Sequence, residues 1–298
     1  MNSLDKKIYF FLIGAAKSGT ISLDYYLSQH SNIFLPEEKD AWAFVDASPN
    51  TILKSNLGIL YKNWKDEALI GLSQVQLLYF PEAAPRIHTY NPNAKILAVL
   101  RNPIDRAYSD YWYEKGIGWE DCVTFEEAVE LEAKRKSGSF RERAQLTHLE
   151  HGHYHEQLMR YHSLFDKSQI YLCLSDDLAN YPAGTVASIV RWLGLPPGKG
   201  QFDFLSTRNA AITHRSLSLQ KALNVPHPLI RKLYHSLTPL DFRLFLHRTI
   251  IRPILRRNAK TFRYLSMNLN TRRRLAEYFA PHNEKLSQLI GRDPSHWR

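Results

Sequence analysis

A short apolar segment that ends in a glycine turn is the feature that most constrains the fold of this chain. Residues Ile8–Ile13 form a continuous apolar run rich in aromatic and β-branched residues, which predicts a buried strand. Gly14 ends the run, and apolar residues between Ser18 and Gln29 then predict a helix. A strand, a tight turn and a helix in this order present backbone N–H groups and the positive end of a helix to an anion. The sequence therefore predicts an α/β fold with an anion site at its first turn.

Further strands and helices alternate along the chain. Strands are predicted at Ala68–Gly71, Lys95–Leu100 and Gln169–Leu174, with helical patterns between and after them at Asn102–Tyr113, Phe125–Lys136, Tyr154–Phe165, Pro182–Leu193 and Thr271–Ile290. This alternation predicts a parallel central sheet flanked by helices, with a helical C-terminal part. We expect a single domain over 1–298, in which about 212–260 is a basic helical insertion or extension.

The turn after the first strand carries the groups that an anion site needs. Gly19 allows the backbone to approach a phosphate closely, and Lys17 supplies a mobile positive charge. Ser18, Thr20 and Ser22 supply hydroxyl donors. The turn differs from the nucleoside triphosphate loop, which ends in Gly-Lys-Ser/Thr, because here the lysine precedes the glycine. Taken alone, the turn is also compatible with a glycine turn that has an incidental lysine.

A second anion-binding element follows the strand Lys95–Leu100. Arg101 comes at the carboxyl end of this strand, where open α/β sheets bind ligands. Asn102 and Pro103 are a good N-cap and first residue for the helix that follows, and Ser109 lies two helical turns later. Two such elements in one sheet predict a ligand with two phosphate groups, since the arginine fork binds phosphate with two hydrogen bonds.

The two elements together resemble the sulfotransferase family, in particular its carbohydrate-modifying branch and bacterial relatives. The family's loop reads close to Pro-Lys-Ser-Gly-Thr-Thr-Ser-Leu, and this chain has Ala16-Lys17-Ser18-Gly19-Thr20-Ile21-Ser22-Leu23. Arg101 and Ser109 match the family's arginine at a strand end and its serine eight residues later. The resemblance continues, more weakly, through Gly152-His153-Tyr154, Asp177-Leu178, Trp192-Leu193-Gly194-Leu195 and Asp293-Pro294-Ser295-His296-Trp297, and covers nearly the whole chain except about 212–260.

The resemblance implies a P-loop-like fold and a sulfotransferase that uses 3′-phosphoadenylyl sulfate (PAPS) as co-substrate and needs no metal. The acceptor would be a hydroxyl or amine, for example on a carbohydrate or glycolipid. Lys17 would stabilise charge on the departing oxygen, and the 5′-phosphosulfate would be bound by Lys17, Ser18, Gly19, Thr20, Ile21 and Ser22. Arg101 and Ser109 would bind the 3′-phosphate, and Arg208 follows a proline-glycine break where related folds close a basic loop over the nucleotide.

The resemblance also suggests a catalytic base, with two departures from the family pattern. Family members often have Lys-Glu followed by aromatic residues after the phosphate loop, and the position of that glutamate is Asp40 here. Asp40 is therefore the predicted base, and Glu37 and Glu38 are its competitors. Leu72 stands where related chains often carry an acid, so any role of that acid in acceptor binding is missing from this position.

Charge and composition indicate the partners. The net charge of +10 predicts an anionic partner. The basic amphipathic segment at about 242–257 is a candidate for peripheral membrane contact, although the pattern favours a helix packed on the domain with a solvated arginine face. We expect no nucleic-acid partner. Two isolated cysteines suit a reducing compartment, and the predicted location is cytoplasmic. Lys6-Lys7 and the apolar run after them look superficially like a signal peptide, but its cleavage would remove the strand that supports the phosphate loop.

Two alternative functions and one alternative site stay open at this point. A nucleoside or sugar kinase would bind ATP with Mg²⁺, which the missing Gly-Lys-Ser/Thr disfavours. A non-catalytic basic protein would bind a membrane or nucleic acid with steep salt dependence. The dense histidine group at His148, His151, His153 and His155 could suggest a metal site, but the neighbouring ligands lack the spacing typical of zinc.

Overall fold

The computed structural model describes residues 7–36, 44–45, 61, 63–196, 202–204, 212–224, 237–239, 242, 245–261, 264–293 and 297. The chain divides into two compact units. The first comprises Met1–Arg106, Glu150–Asn209 and Arg273–Arg298, and the second comprises Ala107–Leu149 and Ala210–Arg272. The basic region predicted at about 212–260 falls within the second unit. That the whole chain forms a single domain stays a prediction.

The first unit contains the parallel sheet that the sequence predicts. Its strands are β1 (Phe10–Gly14), β2 (Ile33–Phe34), β3 (Leu69–Ser73), β4 (Lys95–Leu100) and β5 (Ile170–Leu174), in the spatial order β2-β3-β1-β4-β5. Every neighbouring pair is parallel. The four predicted strands are confirmed, with ends shifted by two residues at most, and only the two-residue β2 has no counterpart in the sequence prediction.

The helices that the sequence predicts lie close to their expected positions, whereas the helices Ala83–Tyr90 and Ser175–Asn180 have no counterpart in the sequence prediction. The described helices are α1 (Thr20–Ser28), α2 (Ala83–Tyr90), α3 (Pro103–Ile117), α4 (Phe125–Glu130), α5 (Glu132–Lys136), α6 (Tyr154–His162), α7 (Ser175–Asn180), α8 (Pro182–Trp192), α9 (Leu217–Asn224), α10 (Arg252–Asn258) and α11 (Leu269–Ile290). None of these described helices combines the length and the apolar character needed to cross a membrane.

Both faces of the sheet are covered because its strand residues are apolar on both sides. Phe10 and Leu12 of β1 pack in one buried cluster with residues of α1, α7 and α8. Successive strand residues point to opposite faces, so Phe11 faces the other side, where its ring contacts Tyr90 of α2 at 6.4 Å between centroids. A sheet buried on both faces explains why the strands have continuous apolar runs rather than alternating ones.

The strand order creates one crevice suited to a ligand. From β1 the chain crosses to β2 and β3 on one side, whereas from β4 it continues to β5 on the other side. Ligands in open α/β sheets bind beyond the carboxyl ends of the strands at such a switch in direction. The two loops that the sequence singles out, after β1 and after β4, therefore flank the same crevice.

The second unit is organised around buried charges. His148 is fully buried, and its ring nitrogens lie 3.1 Å from Asp110 Oδ2 and 3.1 Å from Glu120 Oε2. Arg135 donates two hydrogen bonds to Glu120, at 2.7 and 2.8 Å. Glu132 accepts a hydrogen bond of 2.9 Å from the backbone of Leu149. The predicted helix Phe125–Lys136 is wrong in its continuity: it is interrupted at Leu131 and divided into α4 and α5, and Glu132 and Arg135 of α5 are buried.

Hydrogen bonds decide the ionisation of this network. Burial opposes protonation of His148, but its hydrogen bonds to Asp110 and Glu120 outweigh that penalty and raise its pKa. Burial likewise opposes ionisation of Glu120, but hydrogen bonds from His148 and Arg135 hold its pKa well below the usual range. A charged His148 therefore donates one hydrogen bond to each of the Asp110 and Glu120 carboxylates, and Arg135 supplies a second positive charge beside Glu120.

This network gives the stability of the second unit a pH dependence. Because the folded pKa of His148 is raised above the ordinary value of 6.5, the folded chain binds this proton more tightly than the unfolded chain. The stabilisation is complete below the unfolded pKa and is lost as the pH rises through the folded pKa. We expect His148→Gln to abolish this loss of stability at high pH and to lower the free energy of unfolding at low pH by about 3 kcal/mol. Urea denaturation of the unmodified protein and the variant over a pH series measures the free energy of unfolding.

His162→Gln is the matched control. Burial lowers the pKa of His162, so this residue affects stability only as the pH falls below its unfolded value. The His162→Gln variant should therefore still lose stability at high pH, as the unmodified protein does. If the free energy of unfolding of His148→Gln fell equally steeply with rising pH, the assignment of the pH dependence to His148 would be contradicted.

Candidate active site

The loop after β1 turns sharply just before the first helix begins. Lys17 and Gly19 have left-handed backbone angles, with φ of 63° and 95°, which turn the chain sharply before α1 begins. Gly19 occupies the N-cap position of α1 without a side-chain cap, and the first turn of the helix has no acidic residue. The N-terminal end of α1 thus keeps its positive partial charge directed out of the helix, as in anion sites of this kind.

Gly14 positions this loop against the rest of the sheet. A Cβ atom at Gly14 would lie 3.0 Å from Leu78 Cβ and 3.0 Å from the carbonyl oxygen of Val75. The following residue, Ala15, donates a backbone hydrogen bond of 2.8 Å to Val99 of β4. The glycine is therefore needed for close packing at the start of the loop, and the loop is attached to the neighbouring strand.

Arg101 connects the second predicted element to the first. It directly follows β4, is half-buried, and its Nη1 donates a hydrogen bond of 3.0 Å to the carbonyl oxygen of Lys17. Its own carbonyl oxygen accepts a hydrogen bond of 2.9 Å from the Tyr154 hydroxyl. Lys17 and Arg101, predicted from separate motifs, are thus brought together at the ends of adjacent strands.

Two residues of this region have no role in the sequence prediction. Arg106, on the first turns of α3, is fully buried, and Tyr154, the first residue of α6, is buried beside it. Burial raises the pKa of Tyr154, while Arg106, Ser18 and Arg101 partly offset that effect, so the hydroxyl stays protonated and donates to Arg101. The sequence signal that could have singled out Arg106 is its position four residues after Asn102, the residue predicted to cap the helix. The backbone N–H of Arg106 donates a hydrogen bond to the carbonyl oxygen of Asn102.

The other predicted residues of the loop occupy different environments. Ser18 and Thr20 are buried, Ile21 is exposed, and Ser22 is intermediate. Ser109 lies on α3, two turns after its start, and is half-buried. Asp40, with its competitors Glu37 and Glu38, and Arg208 lie outside the described residues, so their roles stay predictions. Leu72, which stands where related chains often have an acid, is buried in β3.

The histidines of the dense group separate into different environments. His151 stacks on Tyr79 at 4.0 Å between ring centroids, and His153 stacks on His282 at 4.1 Å. His148 belongs to the buried network of the second unit. Within the part of the chain that the structure describes, no group of three His, Cys, Asp or Glu residues could hold a metal ion.

Comparison with known proteins identifies a family. A family model described as a sulfotransferase domain matches residues 7–227. The membrane-associated sulfotransferase kil1 of Dictyostelium discoideum is 35% identical over 105 residues, which cover 35% of this chain and 22% of that protein. The human bifunctional heparan sulfate N-deacetylase/N-sulfotransferase 2 is 27% identical over 204 residues, which cover 65% of this chain and 22% of that protein. The match thus spans about a fifth of the length of these curated relatives.

A solved structure is similar over the full length of the chain. The sulfotransferase from Alicyclobacillus acidocaldarius is 25% identical, with a TM-score of 0.69, and the match covers 98% of this chain and 99% of that one. The parallel sheet with flanking helices is therefore the sulfotransferase fold, as the sequence predicts.

Substitution of Gly19 tests whether the loop binds an anion through its backbone. Gly19→Ala adds a methyl group at a left-handed position, 3.3 Å from Leu178 Cδ2, in the turn that would contact the ligand. We expect a loss of stability of about 1–2 kcal/mol from backbone strain and, in addition, weaker binding of the bisphosphate 3′,5′-ADP. Thermal denaturation measures the first effect and isothermal titration calorimetry the second.

Gly194→Ala provides the control for strain alone. Gly194 has a similar φ of 87°, and nothing lies within 4 Å of the position of its Cβ. It should lose comparable stability and keep its affinity for 3′,5′-ADP. Equal affinity in both variants would show that the Gly19 turn is not part of the binding site.

Proposed function

Because this chain belongs to the sulfotransferase family, and is therefore an enzyme of the transferase class, we propose that it transfers a sulfuryl group from PAPS to a hydroxyl or amine of an acceptor. The observation that carries the proposal is the connection between Lys17 and Arg101 at the ends of β1 and β4. These residues and the N-terminus of α1 offer positive charge to both ends of a bisphosphate nucleotide. The similar heparan sulfate and carbohydrate sulfotransferases support a glycan acceptor.

The proposed reaction is an in-line displacement at sulfur. The acceptor oxygen or nitrogen forms a bond to sulfur while the bond from sulfur to the bridging phosphate oxygen breaks, and 3′,5′-ADP leaves. Lys17 stabilises the negative charge that develops on the departing oxygen, and Asp40 accepts the proton that the acceptor loses. PAPS supplies the sulfuryl group, and the proposal requires no metal ion.

The nucleotide site is proposed in two parts. The turn Lys17–Ser22 binds the 5′-phosphosulfate through backbone N–H groups and the Lys17 ammonium, since α1 has no side-chain cap of its own. Arg101, with Ser109 and Arg208, binds the 3′-phosphate. The fully buried Arg106 lies close to Tyr154, whose hydroxyl donates a hydrogen bond to the Arg101 carbonyl, so it supports the position of Arg101. The acceptor is a glycan, glycolipid or small molecule, and the proposed location is cytoplasmic.

Removal of either cation tests the nucleotide assignment. We expect Lys17→Ala and Arg101→Ala each to weaken binding of 3′,5′-ADP by about 10- to 100-fold, because each removes a charge-assisted hydrogen bond. Calorimetry measures the affinities, and Lys134→Ala, which removes an exposed lysine of α5, is the control. Unchanged affinity in both variants would overturn the site.

A thermal-shift comparison on the unmodified protein separates this function from its alternatives. A sulfotransferase is stabilised most by 3′,5′-ADP, whereas a kinase prefers ATP with Mg²⁺. Equal shifts with 3′,5′-ADP and 5′-AMP would contradict a site for the 3′-phosphate.

The base is tested by neutral, nearly isosteric substitutions. We expect Asp40→Asn to lower kcat by about 100-fold or more, as removal of a general base does, while the affinity for 3′,5′-ADP stays the same. Glu37→Gln and Glu38→Gln are the matched controls and should retain activity. If one of the glutamine variants shows the loss instead, Asp40 is not the base. Steady-state kinetics with PAPS measures kcat in each.

A further inference from the structure

The carbonyl oxygen of Arg101 lies at the point where the chain leaves the sheet. Arg101 follows Leu100, the last residue of β4, and precedes Asn102. The Asn102 carbonyl accepts a hydrogen bond of 2.9 Å from the backbone N–H of Arg106, in the first turns of α3. The Arg101 carbonyl therefore comes after the strand and before the first hydrogen bond of the helix. A backbone carbonyl in such a position needs a partner from another part of the chain where water is excluded.

The hydroxyl of Tyr154 is this partner. It donates a hydrogen bond of 2.9 Å to the Arg101 carbonyl, and the Tyr154 side chain is fully buried. Tyr154 is the first residue of α6, and a tyrosine side chain has only two rotatable bonds before its ring, so the hydroxyl has a well-defined position. Removal of the hydroxyl would leave a partly buried carbonyl oxygen without its hydrogen bond, which is unfavourable.

Close packing holds the start of α6 against the start of α3. A Cβ atom at Gly152 would lie 2.9 Å from Pro103 Cβ and 2.9 Å from Phe279 Cε1, so a larger residue would force these neighbours apart. Pro103 is the first residue of α3 and lies two residues after Arg101. The glycine therefore lets the segment before α6 approach α3 closely, and this approach brings Tyr154 within reach of Arg101.

Arg101 is consequently held at both ends. Its guanidinium Nη1 donates a hydrogen bond of 3.0 Å to the Lys17 carbonyl, and its backbone carbonyl accepts the hydrogen bond from Tyr154. A guanidinium whose orientation is already set loses less conformational entropy when it binds a phosphate. A binding group of this kind works only within about 0.5 Å of its productive position. The position of the Arg101 backbone therefore matters for binding as well as for folding.

We propose that Tyr154 is a positioning residue for Arg101 and thereby determines the preference of the site for a nucleotide with a 3′-phosphate. In this proposal, which rests on the proposed function of Arg101 as a 3′-phosphate ligand, Tyr154 does not contact the nucleotide. It acts through the peptide group of Arg101. Without the hydroxyl, this peptide group turns towards another partner, and the guanidinium moves with it.

Calorimetry of Tyr154→Phe with two nucleotides tests the proposal. We expect the affinity for 3′,5′-ADP to fall about 10-fold, the effect of losing one hydrogen bond of ordinary strength. The affinity for 5′-AMP, which has no 3′-phosphate, should stay nearly the same. In a protein that already carries Arg101→Ala, addition of Tyr154→Phe should cause no further loss of 3′,5′-ADP affinity, because the effect passes through the guanidinium.

Tyr161→Phe is the matched control. Tyr161 lies on the same helix α6, is fully buried, and donates a hydrogen bond of 2.6 Å to the backbone carbonyl of Leu77. Each phenylalanine variant removes one buried hydroxyl, so both should lower the melting temperature by a similar amount, about 2–4 °C. Only Tyr154→Phe should weaken binding of 3′,5′-ADP.

Three results would overturn the role of Tyr154. These are equal 3′,5′-ADP affinity in the two phenylalanine variants, equal weakening of 3′,5′-ADP and 5′-AMP in Tyr154→Phe, and a further 10-fold loss in the double variant. Each would overturn this role alone if the unmodified protein prefers 3′,5′-ADP to 5′-AMP. Equal affinity of the unmodified protein for the two nucleotides would instead overturn the proposed 3′-phosphate site and the role of Tyr154 with it.

Discussion

The pairing of β1 with β4 is the constraint on which the rest of the site depends. The two strands lie side by side in the sheet, yet residues 15–94 of the chain lie between them in sequence. Their pairing places the turn after β1 beside Arg101, and two hydrogen bonds join these segments: from Ala15 to Val99 and from Arg101 to Lys17. A change that separated the two strands would leave each motif present but would divide the site.

This arrangement brings positive charge together before any ligand binds. Lys17, Arg101 and the buried Arg106 lie near the uncapped N-terminus of α1, whose first turn has no acidic residue. In the proposed complex these positive charges attract a doubly anionic nucleotide, and the attraction is stronger where burial lowers the effective dielectric constant.

In the second unit, buried charges of opposite sign lie next to one another. There Asp110, Glu120, Arg135 and His148 alternate in sign and satisfy one another, so the network is closed and suited to structure rather than to binding. Whether neighbouring charges are alike or opposite in sign thus separates a proposed ligand site from a structural core.

The sequence alone determined the fold class and the identity of the main cations. Continuous apolar runs such as Lys95–Leu100 and the glycine turn after the first strand are local signals, and local signals are sufficient to place strands, helices and anion-binding turns. Only the tertiary structure decided which segments meet. The contact of Arg101 with Lys17, the burial of Arg106 beside Tyr154, the division of the predicted helix Phe125–Lys136 and the separation of the clustered histidines all depend on residues distant in sequence. Long-range pairing follows from how a whole sheet buries its two faces, and no window of the sequence contains that information.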